Sequence, residues 1–172
     1  MKKWMFLSIS ATLLTPLAAS AQSCDTVDLP APIQSALHHS YASWHLVTRD
    51  MFVPDDQKLL DSSKLCPGFV SGHFTSDRVE YAVNLAQEVH GKHFEQVILF
   101  NADANQATTI VAPVLSDKWS TLSKAKRGEY KEWDSERRAH VKQDAIVFSV
   151  LESSDELFYW DGVKFRSLLL TN

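Results

Sequence analysis

The segment CPGFVSGHFTSDRVEYAVNL, residues 66–85, sets polar side chains at alternate positions in the manner of a cation-binding loop. Calcium loops place a carboxylate or amide at every second residue and a glycine at the sharp turn, because the hard cation gathers about six to eight oxygens. Here the alternating positions are His73, Thr75, Asp77 and Val79, followed by Glu80, and Arg78 stands where the turn glycine belongs. Asp77 and Glu80 are therefore the candidate metal carboxylates. His73 offers nitrogen rather than oxygen, and Arg78 brings a positive charge beside the site. Affinity for a hard ion follows carboxylate number, so the segment reads as a turn that has lost its cation, with no metal or cofactor expected.

Seven histidines raise zinc as a second possibility. His38 and His45 share a face if one helix carries both, and His90 and His93 share a turn. Zinc needs three or four converging ligands, and no H-E-x-x-H motif supplies them. Surface histidines are the expectation. Nucleophilic catalysis lacks a G-x-S-x-G elbow, and Ser71-Gly72-His73 has no triad context. Acid–base chemistry needs two carboxylates brought together by the fold; Asp77 and Glu80 can meet across a turn, as can those of any acidic loop. The chain is read as a non-enzyme, and no catalytic residue is assigned.

The ends and the composition place the protein. Lys2 and Lys3 precede an apolar run from Trp4 to Leu17, and Ala19-Ser20-Ala21 forms a small-x-small cleavage site. The run is shorter than the roughly 20 residues a membrane helix needs. A signal peptide over 1–21, cleaved after Ala21, is expected, leaving one domain over 22–172 in the periplasm or outside the cell, with no membrane insertion of the mature chain. Removing the signal takes away two lysines and leaves 15 basic against 21 acidic residues, a net charge of −6. That balance argues against nucleic acid and anionic membranes as partners and permits a basic protein. Cys24 and Cys66, the two cysteines, are expected to form one disulfide in an oxidising compartment.

The expected elements that position these groups begin with an amphipathic helix over 30–46, from Ile33, Leu37, Tyr41 and Trp44, started by Asp28 and prolines. A short helix follows at 55–60. Strands are expected at 69–70, 79–86, 94–100, 107–111 and 145–151, and a closing hairpin runs from Leu157 to Leu170 about a tight Asp161-Gly162 turn. Alternation puts Phe158 and Trp160 on one face, with Trp160 packed on Phe165 or near Val147. Lys118 to Arg138, charged in both signs, reads as a solvated excursion of helical turns or irregular loop. Trp119, Tyr130 and Trp133 lie within it as candidate contacts for a partner, because aromatics carry much of the energy at protein interfaces. The fold class is α+β: an N-terminal helix followed by an antiparallel β-meander.

The stretches CPGFVSGHFTSDRVEYAVNL, KQDAIVFSVLESS and LFYWDGVKF together resemble a set of uncharacterised secreted bacterial proteins with a Cys-Pro-Gly, a Gly-Asp-Phe-Asn-Gly-Asp-Gly-like loop and a C-terminal Tyr-Trp-Asp-Gly hairpin. The loop is similar to the calcium-associated loops of FG-GAP and VCBS repeats. Position by position, Asp77 matches that loop, while His73, Thr75, Arg78 and Glu80 depart from it. The resemblance implies a fold and a compartment rather than a reaction. The expected function is that of a soluble periplasmic, non-catalytic binding protein, for example an inhibitor or immunity-type protein capping a secreted enzyme. A degenerate calcium-loop module with a structural or adhesive role is the alternative, and a hydrolase whose residues converge only in three dimensions is the third.

Overall fold

A computed structural model describes residues 28–63 and 65–171. The signal segment, its cleavage point and the Cys24 end of the expected disulfide lie outside the described residues. Cys66 itself is buried, in the cluster under the first helix. Among the described residues no helix is long and apolar enough to cross a membrane.

Helix α1 covers Ala31–Ser40, opened by Pro30 at the cap and Pro32 in the first turn. It is shorter than the periodicity predicts. The chain turns at Tyr41, whose N–H donates to Leu37 O, and His45–Leu46 becomes strand β1. Trp44 still packs on the α1 cluster from this turn, so the apolar rhythm outruns the helix. His38 and His45 consequently sit on different elements, and the shared helix face proposed for zinc does not exist. Helix α2 spans Pro54–Ser63. Arg49, in the 3-10 turn before it, holds Asp61 through a two-pronged pair at 2.8 and 2.6 Å.

The strands number eleven among the described residues: β2 Phe69–Gly72, β3 Glu80–Val89, β4 Lys92–Asn101, β5 Ala107–Ser116, β6 Ser120–Ala125, β7 Gly128–Lys131, β8 Arg138–Val141, β9 Ala145–Val150, β10 Ser154–Trp160 and β11 Phe165–Thr171, besides β1. They form three antiparallel sheets rather than one meander. The first runs β1-β3-β4-β5, with β2 also on β3; the second runs β11-β10-β9-β6; β7 and β8 make a separate ribbon. The α+β class holds in its coarse form, dominated by strands.

Two interior layers explain the packing. Val83, Leu85, Ile98 and Phe100 face α1, together with Ile33 and Phe69. Their neighbours Ala82, Val97 and Leu99 point the other way, onto Leu122, Ile146, Phe148 and Phe158 of the second sheet. Strands β3 and β4 are thus covered on both faces, which is why Gln96 to Phe100 is buried without alternation. The ribbon closes the outer face of the second sheet through Ala139, Val141, Leu157 and Leu168.

Two expectations change here. Residues 118–138 are not an irregular excursion: β6 is a paired strand whose Ser120, Thr121 and Leu122 are buried, and β7 pairs with β8, while Lys118, Lys124, Lys126, Arg127, Glu129 and Trp133 stay exposed. The closing hairpin also turns more widely than a two-residue loop. Trp160 pairs with Phe165, leaving Asp161–Lys164 as the connection. Asp161 organises it, accepting from Lys164 N, Arg166 Nε and Val163 N. These donors, the Lys164 amide foremost, then Arg166, hold its carboxyl well below the usual carboxylate range. A depressed value means the bonds stabilise the hairpin above the ordinary aspartate pKa near about 4 and are lost as pH falls below it. Trp160 packs edge-on to Phe165, with ring centroids 5.3 Å apart, yet is only half-buried.

Candidate protein-binding loop

The tip of the β7–β8 ribbon is built from Glu132-Trp133-Asp134-Ser135-Glu136-Arg137. Register closes it: Lys131 pairs with Arg138, and Glu132 N donates to Arg137 O. Asp134 takes a positive φ of 49°, a conformation that aspartate adopts more readily than most residues. Ser135 Oγ donates to Glu132 Oε2 and accepts from Arg137 N, and Lys131 pairs with Glu136 at 3.0 Å.

Two bonds fix this tip to the second sheet. Trp133 N donates to Leu169 O at 2.7 Å, and Arg137 Nη2 donates to Ser167 O at 2.8 Å. The same guanidinium pairs with Glu132. The backbone is therefore held on both sides of Trp133 while its side chain stays 52% exposed. Beside the indole lies an open hollow of about 620 Å³ lined by Lys131, Glu132, Asp134, Glu136 and Leu170. Of its three carboxylates, Glu132 is paired with Arg137 and Glu136 with Lys131, which leaves Asp134.

The three aromatics named from sequence separate here. Trp133 stands out from the surface. Tyr130, one turn of the ribbon away, is half-buried on the cluster of Ala139 and Val141, and its hydroxyl donates to Lys126 O at 2.6 Å. Trp119 is half-buried beside Val47, Phe52 and Leu60, edge-on to His93 at 4.8 Å. Arg137 and Leu169, which make the tip rigid, were not picked out from the sequence; the local signal was the Asp134-Ser135 turn pair between Glu132 and Arg137.

The Glu80 carboxylate closes the loop at 73–80 from within. Glu80, only 7% exposed, turns inward, where its Oε2 accepts from Phe74 N at 2.9 Å and Thr75 N at 2.7 Å, and Oε1 accepts from Thr75 Oγ1. Its oxygens thus satisfy the loop's own donors. Asp77 is exposed and takes no part in that network. The two candidate metal carboxylates do not share a site, and among the described residues no three metal-ligating side chains converge. Calcium in millimolar excess is expected to leave the melting temperature nearly unchanged, since stabilisation follows affinity for the native state. Asp77→Asn is expected to change stability by less than about 0.5 kcal/mol. A large calcium-dependent rise that this substitution removes would contradict the reading.

No protein-family model matches the chain, and comparisons with curated proteins and with solved structures find no match.

Proposed function

We propose that the chain is an exported, non-catalytic protein that binds another protein through the β7–β8 tip, with Trp133 as the anchoring side chain. The carrying observation is the combination at Trp133 of an exposed indole and a backbone bonded to Leu169. Large aromatics dominate binding energy at interfaces, and a contact already ordered before association loses less entropy on binding. The acidic mature chain favours a basic partner. The concrete form is an inhibitor or immunity-type protein that caps a secreted, basic cell-wall enzyme. The Lys2-Lys3 start and the following apolar run support the export this role needs.

The test is affinity capture from periplasmic extract with the wild-type chain and with Trp133→Ala, followed by titration of the purified partner. The expected result is one stoichiometric basic protein whose Kd rises about 30-fold or more in the variant, the signature of an interface hot spot. Stability is expected to change by less than about 1 kcal/mol, since the side chain is half in solvent. A captured partner bound equally well by Trp133→Ala, or no partner at all, would overturn the proposal.

A further inference from the structure

The opposite end of the ribbon gathers positive charge. Where Gly128 pairs with Val141, the segments entering and leaving the ribbon bring Lys124, Lys126, Arg127 and Lys142 around a cavity of about 480 Å³, completed by His73, Asp77, Gln143 and Asp144. Four full positive charges face two carboxylates there, in a chain whose overall balance is negative.

The carboxylates do not neutralise the cluster. Asp144 is committed to the backbone: its Oδ2 accepts from His73 N at 3.0 Å, and Asp144 N donates to His73 O at 3.1 Å. Its reach toward cations is loose, 3.7 Å to Lys124 Nζ and 3.8 Å to His73 Nδ1. Lys126, Arg127 and Lys142 have no acidic partner among the described residues, as is true of Arg78, Lys92, Lys118, Arg138 and Lys164, but only here do such cations line one cavity together. Like charges brought together without counter-charges repel and destabilise the compact state.

The frame that holds them is firm. Tyr130 OH fixes the Lys126 carbonyl at 2.6 Å. Strand β6 pairs with β9 through Lys124 and Ile146, and Asp144 ties the β8–β9 connection to residue 73. Gly72, in β2, allows this approach: a Cβ there would stand 3.0 Å from Asp144 Oδ2 and 2.8 Å from the Phe74 ring. The cations are thus presented by β6 and by the β6–β7 and β8–β9 connections, the last tied to the loop at residue 73.

We infer that this cavity binds a phosphate-bearing anion, a phosphate ester or diphosphate. Ammonium and guanidinium groups together are the usual ligands of phosphate oxygens. With four cations against two carboxylates, the surplus of two positive charges matches a dianion better than a single carboxylate. The volume admits a phosphate with the small group that carries it. The charge is confined to one concavity, whereas nucleic-acid binding spreads contacts over several phosphates along a surface. The phosphate can belong to a soluble ester or to a lipid headgroup.

Calorimetric titration of the full chain with pyrophosphate, and flotation with vesicles of phosphatidylcholine with or without phosphatidylglycerol, test the inference. Arg127→Gln and Lys142→Gln serve as variants, both exposed and outside the core. The expected result is saturable pyrophosphate binding whose Kd rises about tenfold in each variant and further in the double variant, with melting temperatures no lower than that of the wild type and affinity falling with added salt. Pyrophosphate binding without flotation assigns a soluble ester, and flotation with phosphatidylglycerol that the same variants abolish assigns a headgroup. Neither interaction in the wild type, or binding that both variants leave intact, overturns the inference. Trp133→Ala, at the far end of the ribbon, is expected to bind pyrophosphate as the wild type does, so the two surfaces fail or stand independently.

Discussion

Glu95→Ala is expected to lower the unfolding free energy by about 3–5 kcal/mol, the sum of two stranded donors at roughly 1–3 kcal/mol each and a small cavity. Glu95 lies wholly between the two main sheets, where an ordinary core residue would be apolar. Its carboxylate accepts from Ser120 N at 2.9 Å, Ser120 Oγ at 2.8 Å and Asn84 Nδ2 at 3.3 Å. Asn84 Nδ2 also reaches Ser120 O at 3.1 Å and keeps that partner in the variant. The amide and hydroxyl of Ser120, both buried, lose theirs. This network fixes the start of β6, where the chain passes from the first sheet to the second. Glu95→Gln retains acceptor oxygen and is expected to cost less than half as much. Chemical denaturation of the three proteins decides it; a cost below about 1 kcal/mol for the alanine variant would show that the donors find water instead.

Phe74→Ala is expected to cost about 3–5 kcal/mol, the range for deleting a buried aromatic ring. Phe74 is fully buried and joins Leu99, Leu122, Ile146 and Phe148 in the layer between the sheets. Its neighbours in the chain, His73, Asp77 and Arg78, lie in solvent. The loop at 73–80 is therefore fastened by one ring, by the Glu80 carboxylate and by the bonds between Asp144 and the His73 backbone. Thermal or denaturant unfolding of Phe74→Ala beside Asp77→Asn separates these roles. Equal, small effects from both would mean that the loop contributes nothing to the core.

How much of this was written in the sequence varies by element. The paired strands at 80–89, 92–101 and 145–150 follow their β-branched and aromatic runs closely. Phe158 and Tyr159 face opposite clusters as alternation requires. Strand β6 was hidden because Ser120-Thr121-Leu122 is polar in type yet buried in place, the amide and hydroxyl of Ser120 satisfied by the distant Glu95. Periodicity measures apolarity and cannot register a partner twenty-five residues away. Helix α1 was overextended because Trp44 meets the same cluster from a turn.

The sites divide similarly. Trp133 stood out as an aromatic among charges, and its side chain is exposed. The bonds that make it rigid come from residues 167 and 169, which nothing local announces. Whole-chain acidity obscured the basic cavity, although Lys124-Ala125-Lys126-Arg127 is a visible cationic run. Its remaining cation, Lys142 in the β8–β9 connection, enters only through the fold.

Hydrogen–deuterium exchange on the purified complex tests the binding surface most directly. Amides of residues 131–137 are expected to gain protection when the partner is bound, together with those of β11 near Leu169, while the exposed edge strand β5 and helix α1 exchange as in the free protein. Protection confined to β5 or α1, with the 131–137 tip unchanged, would contradict the assignment of Trp133 and its loop as the contact.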